Sequence, residues 1–509
     1  MSTHSENNKR IAKNTLALYV RMLLLLVINL YTSRVVLKIL GVEDYGIYNI
    51  VGGVIIFFSF INSALAGATQ RFLNYELGRN DTEKLKSVFN ASVYVHLIVI
   101  LIIILLGETV GLWFIHTQLN IPQARLHAAL IVYHLSIVTF CIHVLRAPFN
   151  ASIIANENMK YYAYISIVEA VLKLVIVYAL LLSSFDKLIF YGTLTLITSL
   201  IMTGVCIIYS KRHFYFIVIN RRYEKSIITS LLSFSLWSCF GNLSNIVSSQ
   251  GLNVLLNIFW GVAINAAMGL ANHISAAAGG FVGNFQTAFN PSIVKLYASG
   301  DIERHNNLVY QASKVSFFLF WFFFVPFVFN AYYVLDLWLD EVPTFTDLFC
   351  QLLMADLCLS ALSGPLWVSA QATGKIRAYM LTVGCLNILS LPVSYLLLKF
   401  GYSPYIVMVV KIGLDLCTYI YRLFFLRSNM NFSLIIYVRK VVFPILKVII
   451  LSIPFPVLIC LRTTQGLSRL LDTTSAAVIV IALTVYYAGL SKEERAFCCK
   501  LIKNKLKKE

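Results

Sequence analysis

Residues 14–78 read NTLALYVRMLLLLVINLYTSRVVLKILGVEDYGIYNIVGGVIIFFSFINSALAGATQRFLNYELG, two long apolar segments, roughly 14–40 and 45–76, joined at Gly41-Val42-Glu43-Asp44. Each exceeds the ~20 residues that carry a helix across a bilayer. The first nevertheless holds Arg21 early and Arg34 and Lys38 late, and the second holds Arg71. A charge at the centre of a membrane helix costs about 2.5–3.5 kcal/mol on insertion scales. Such residues therefore face a bundle interior or a wet cavity, and they mark a substrate or ion path. The pair reads as two helices lining a cationic cavity, through which an anionic amphiphile would move.

The rest of the chain has the same character. Of 509 residues, 59% are hydrophobic and only 13% are charged, against about 25% charged in soluble domains. About fourteen apolar spans can be drawn: 14–40, 45–76, 85–115, 124–150, 160–183, 187–210, 226–258, 262–298, 308–335, 345–373, 376–399, 403–427, 438–461 and 473–490. The short alternating strands of a membrane barrel are missing from this pattern. The fold class expected is an all-α polytopic membrane protein. The first span is too long and too charged for a signal peptide.

A net charge of +18 invites a nucleic-acid reading, but no basic soluble domain exists to carry it. Topology explains the charge better, because cytoplasmic loops collect Lys and Arg. With the N-terminus inside, the inner segments hold Lys9, Arg10, Lys13, Arg79, Lys84, Lys86, Lys211, Arg212, Arg221, Arg222, Lys225, Lys375, Arg377, Arg439, Lys440 and a basic tail. The outer turns hold Glu43, Asp44, Asp340, Glu341 and Asp347. Both termini are therefore expected in the cytoplasm. The ten cysteines show no metal-ligand spacing and read as free thiols.

The basic, aromatic connector 211–225 is either an interfacial helix or a plain loop. It divides the chain into an N-terminal lobe (1–210), a C-terminal lobe (226–430) and a final helix pair with its tail (431–509). The lobes look like a repeat. Span one ends in Gly41-Val42 and span seven in Gly261-Val262; span two ends in Tyr75-Glu76-Leu77-Gly78 and span eight in Tyr297-Ala298-Ser299-Gly300. With six helices between copies the repeat is parallel, and substrate would bind between the lobes.

Polar residues at helical spacing nominate the lining faces. Ser235, Ser238, Asn242, Asn245 and Ser249 form one stripe; Asn265, Asn272, Gly279, Gly283, Gln286 and Asn290 form another; Ser59, Asn62, Ser63, Ala66 and Gln70 form a third. On the first span Asn14, Arg21 and Thr32 share a face. Singly, small and polar residues are more often helix–helix glue; recurring on the first two helices of both lobes, they read as a cavity lining. The substrate-binding candidates are Arg21, Arg71, Arg34, Asn62, Asn242, Asn245, Asn272 and Gln286. An arginine fork suits phosphate; the competing readings are an interhelical ion pair or snorkelling to the headgroups. Arg34 lies nearer the outer mouth, for release or for pairing with Glu43 or Asp44. Glu169 with Lys173, and Lys411 with Asp415, have the spacing of intrahelical pairs. Asp356 and Glu108 show no obvious partner and are candidates for coupling H⁺ or Na⁺. No P-loop, nucleophile elbow or metal cluster is present, so an enzyme is disfavoured and no cofactor is expected.

Asn14-Thr15, Tyr31-Thr32-Ser33-Arg34, Leu40-Gly41-Val42-Glu43-Asp44-Tyr45-Gly46 and the Asn-bearing second helix together resemble the polysaccharide flippases. These are the O-antigen and capsule repeat-unit translocases of the multidrug/oligosaccharidyl-lipid/polysaccharide exporter superfamily. The resemblance is clearest over residues 9–80. It implies two six-helix lobes around a V-shaped central cavity, in a bacterial inner membrane. It implies transport of an undecaprenyl-pyrophosphate-linked oligosaccharide, with the lipid tail left in the bilayer. Arg21 and Arg71 match the arginines that relatives place on their first two helices. Membrane lipids, a polysaccharide polymerase and a chain-length regulator are the implied partners. Drug exporters of the same fold typically place an acidic residue on the first helix, where this chain has Arg21.

Overall fold

The computed structural model describes the backbone of residues 2–56, 58–118, 122–218, 224–339, 342–464 and 466–496. Side chains at 2–13, 30, 33, 34, 37, 42, 43, 49, 50, 52–56 and 262 lie outside the described set. The described backbone is helical with no strand. In chain order the helices are α1 (Ser2–Ile56), α2 (Ser59–Arg79), α3 (Thr82–Leu106), α4 (Leu112–Gln118), α5 (Gln123–Ala155), α6 (Met159–Leu182), α7 (Lys187–His213), α8 (Lys225–Ala298), α9 (Ile302–Trp338), α10 (Thr346–Ala372), α11 (Ile376–Lys399), α12 (Ile406–Asn429), α13 (Leu434–Tyr437), α14 (Phe443–Ser452), α15 (Pro454–Arg462) and α16 (Leu467–Thr484).

Ten stretches among the described residues are long and apolar enough to cross a membrane. The expected spans missing from that set are those in α1, α2, the second half of α8, and α12. Three of these carry the polar stripes read from the sequence, and α12 carries Lys411, Asp415, Arg422 and Arg427. The amides and charges of α2, of the second half of α8 and of α12 make those helices too polar to face lipid all round, whereas Asn14–Asn29 of α1 is a shorter apolar stretch. Leu101, Leu105, Leu182, Ile258, Ile435 and Leu461 are exposed, as side chains solvated by acyl chains are, and so are Leu23 and Val27 of α1 and Phe424 of α12. The protein is a multi-pass membrane protein.

The chain divides into two compact units, residues 12–242 and residues 243–509 with 1–11. The boundary falls inside α8, beyond the connector. The reason is packing: Leu231 belongs to the core of the N-terminal unit with Leu65, Val132 and Val144, and Phe234 meets Phe72 edge-on at 5.8 Å. In that unit α5 packs on α2, α3 and α7. Between His213 and the start of α8 at Lys225 the described part of the connector is not helical; Phe216 is fully buried against Phe89 and Phe149. In the C-terminal unit α10 packs on α9 and α12 over Leu252, Leu256, Phe349 and Met408.

The repeat is written in the backbone. Gly41 has φ 78, ψ 171 inside α1, and Gly261 has φ 79, ψ −174 inside α8. This region is open essentially to glycine alone. At the same offset, Asn80 (φ 55) matches Gly300 (φ 79), and Asp81 caps Lys84 as Asp301 caps Arg304. Later, Glu157 (φ 59) matches Gly374 (φ 75), and Pro148 in α5 matches Pro365 in α10. A Cβ at Gly41 or Gly261 would meet nothing within 4 Å. Gly41→Ala or Gly261→Ala should therefore destabilise by backbone strain alone, about 1–3 kcal/mol. Gly269→Ala, in open space within ordinary helix, should leave the detergent-solubilised melting temperature level or slightly higher.

Candidate substrate-binding site

Arg71 on α2 is 8% exposed. Its guanidinium carbon lies 4.7 Å from the Phe72 ring, 5.0 Å from Tyr75 and 5.5 Å from Phe234. Aromatic faces stabilise a desolvated cation by about 0.5–2 kcal/mol each, which offsets part of the insertion cost. Arg21 on α1 lies 4.7 Å over the Tyr162 ring of α6. Two turns earlier on the same face, Asn14 donates to the Glu157 carbonyl at 3.0 Å. Its buried amide thus pins the α5–α6 turn, where Glu157 holds a left-handed φ. Both arginines belong to the N-terminal unit but address different helices. The Arg34 side chain lies outside the described residues.

Some of the buried polar atoms without hydrogen-bond partners among the described residues lie on these same helices. They include Thr15 Oγ1, Thr32 Oγ1, Asn62 Oδ1, Thr69 Oγ1, Asn74 Oδ1, Ser235 Oγ and Ser238 Oγ. Buried polar groups are normally paired; unpartnered atoms also occur on α7 (Ser199, Thr203, Ser210) and α9 (Ser313, Ser316), so they do not by themselves single out a lining face. Farther along, Asn242 and Asn272 are half-buried and Asn245 is exposed. A cavity of about 170 Å³ in the N-terminal unit reaches Ser136, Thr139, His143 and Thr195. It is below the ~300 Å³ of small-molecule pockets and holds no oligosaccharide.

Gln286 has a structural task. Pro365 lacks the N–H that would bond Ala361 in α10; the Gln286 amide donates to that carbonyl at 3.1 Å instead. Gly364 makes room, since a Cβ there would lie 2.3 Å from Gln286 Oε1. Gly364→Ala should evict Gln286 and orphan the carbonyl, costing about 1–3 kcal/mol. Gly283→Ala, in open space, is the matched control for melting.

The buried charges form defined sets. Lys411 on α12 pairs with Asp356 of α10 and with Asp415 at 2.8 Å, so Asp356 has a partner that helical spacing does not reveal. Glu108 pairs with His134 at 3.0 Å in a half-exposed setting. Glu169 takes Arg146 at 2.8 Å and Lys173 at 3.6 Å; Arg146 also meets His143 at 3.1 Å. At the start of α5, Arg125 Nε bonds Asp44 at 2.8 Å and Nη1 bonds Asp186 at 2.6 Å. Partial burial would raise the Asp186 carboxyl, but the Arg125 hydrogen bond and the N–H groups of Ile189 and Leu188 hold it below its ordinary value. A depressed carboxylate stabilises above its unfolded pKa and loses that contribution as pH falls through the folded one. Hydrogen exchange at 186–190 should thus quicken only below the normal aspartate range, and an Arg125→Gln variant should lose that acid dependence. Sequence reasoning passed over Arg125, Arg146 and Arg422; each stands as a lone basic residue within or at the edge of an apolar run, the signal applied to Arg21.

No family model matches the chain. Among curated proteins it is 22% identical over 296 residues to the uncharacterized membrane protein EpsK of Bacillus subtilis (strain 168); the match spans 58% of each chain. Among solved structures it superposes on MATE in complex with MaD5 at TM-score 0.68 and 16% identity, over 83% of this chain and 96% of that one. The Vibrio cholerae MATE transporter VcmN gives TM-score 0.68 and 18% identity, over 84% of this chain and 99% of that one. The fold is MATE-like. Within it, the polar stripes and Arg21, Arg71 and Arg422 fall on α1 to α12, and α13 to α16 lie beyond them. Sequence identity this low carries the helix arrangement and leaves the cargo to be argued from the side chains.

Proposed function

We propose that this chain is a flippase that carries an undecaprenyl-pyrophosphate-linked oligosaccharide repeat unit from the cytoplasmic to the outer leaflet of a bacterial inner membrane, for O-antigen, capsule or exopolysaccharide assembly. The observation that carries the reading is Arg71, a guanidinium buried among Phe72, Tyr75 and Phe234 on a helix too polar to face lipid all round. The pyrophosphate contacts the guanidinium fork, and sugar hydroxyls contact Asn62, Asn242, Asn245 and Asn272. Arg21 serves the same headgroup, and Arg34 its release. Transport proceeds by alternating access, with both termini in the cytoplasm. Asp356 and Glu108 are the proposed ion-coupling groups; each already pairs with a base that a proton could free.

The test is genetic complementation. In a strain lacking the chain, surface glycan should return with the wild type and fail with Arg21→Ala/Arg71→Ala at equal protein level. Unchanged glycan in that double variant would remove the phosphate-holding role. The second reading, a cation-coupled small-molecule exporter, draws on the MATE-like fold; drug susceptibility that changes while glycan stays constant would favour it.

A further inference from the structure

We propose that the C-terminal unit holds a second phosphate-type anion site, built on Arg422 of α12 with Tyr379 of α11 and Ser363 of α10. It does not depend on the cargo proposed above. Arg422 Nε donates to the Tyr379 hydroxyl at 2.6 Å, and Nη1 donates to the Ser363 carbonyl at 2.9 Å and to its Oγ. Its carbon lies 5.7 Å from both the Trp367 and Tyr379 rings, which are themselves stacked at 5.1 Å.

Two features separate Arg422 from the paired cations. Lys411, Lys314, Arg146 and Arg125 each sit against a carboxylate; among the described residues Arg422 sits only against neutral oxygens and rings. The second feature is a surplus of donors. A guanidinium has five N–H groups and a hydroxyl one O–H. Tyr379 and Ser363 already accept from Arg422, so their own protons point elsewhere, and Nη2 has no acceptor among the described residues. Two N–H and two O–H donors around one uncompensated positive charge fit a phosphate, which accepts several charged hydrogen bonds. Tyr379 and Ser363 are 1% and 9% exposed, and their hydroxyl protons are free to rotate toward an acceptor. The repeat repeats the motif as well. Tyr162 stands where Tyr379 stands, at the offset that relates Pro148 to Pro365, and it too carries a guanidinium, from Arg21.

The ligand class is a phosphate or pyrophosphate group, free or on a lipid headgroup. Trp367 reports on the site. Sodium pyrophosphate, or phosphatidylglycerol in mixed micelles with phosphatidylcholine as control, is titrated into the purified full chain; the fluorescence change missing from Trp367→Phe is the site's own signal. A saturable Trp367 signal with pyrophosphate assigns the free anion, and one with phosphatidylglycerol alone assigns the lipid headgroup; both support the site. Affinity should fall about tenfold or more in Arg422→Gln, the loss of about 1.4 kcal/mol or more. It should fall severalfold in Tyr379→Phe, which keeps the charge. No Trp367 signal in the wild type with either probe, or one equal in phosphatidylcholine, overturns the proposal, as does affinity unchanged in Tyr379→Phe and Ser363→Ala.

Discussion

Lys411→Met will unfold or severely destabilise the C-terminal unit. Lys411 stands between Asp356 and Asp415, whose side chains are 16% and 30% exposed. Removing the cation leaves two partly buried carboxylates facing each other. Breaking a buried pair from one side costs about 3–5 kcal/mol, whereas removing all its charges is often neutral. The triple variant Asp356→Asn/Lys411→Met/Asp415→Asn should therefore recover most of the melting temperature that Lys411→Met loses. If the triple variant recovers stability but not transport, the triad is needed for coupling as well as for packing. A Lys411→Met protein that melts like the wild type would mean the triad is solvated, and Asp356 would cease to be a coupling candidate.

Arg71→Ala will give the largest functional loss at an intact fold. A hydrogen bond to a charged group contributes about 1.5–3 kcal/mol, so losing one from the headgroup lowers cargo affinity about ten- to a hundredfold. Surface glycan should drop accordingly at constant protein level. Arg71→Lys keeps the charge and loses both the fork and its stacking on Phe72, Tyr75 and Phe234; it should recover only part of the export. Equal activity in Arg71→Ala and the wild type would make Arg71 a packing residue.

The helix content and the two-fold repetition were readable from residue order because both follow from local chemistry. Apolar length marks a span, and a glycine forced to positive φ marks a joint, so Gly41 and Gly261 could be paired on sight. The N-terminal edge of the second unit was not readable there. It depends on whether Leu231 and Phe234 choose the α2 side, a question of packing rather than of composition. Charge partners divide the same way. Glu169 with Lys173 and Lys411 with Asp415 follow from one-turn spacing, but Arg146–Glu169 and Lys411–Asp356 cross from one helix to another, which spacing along a single helix does not reveal. Gln286 illustrates the commonest confusion, since an amide that completes a proline-broken carbonyl and one that awaits a sugar have the same one-letter code.

Translocation in proteoliposomes decides the central claim most directly. A fluorescent pyrophosphate-linked oligosaccharide lipid is placed in one leaflet, and its arrival in the other is followed by quenching, for the wild type and for Arg71→Ala. Flipping that Arg71→Ala slows about tenfold or more, with cationic dyes left untransported, is the result expected. Transport of cationic dyes with no movement of the pyrophosphate lipid would contradict it.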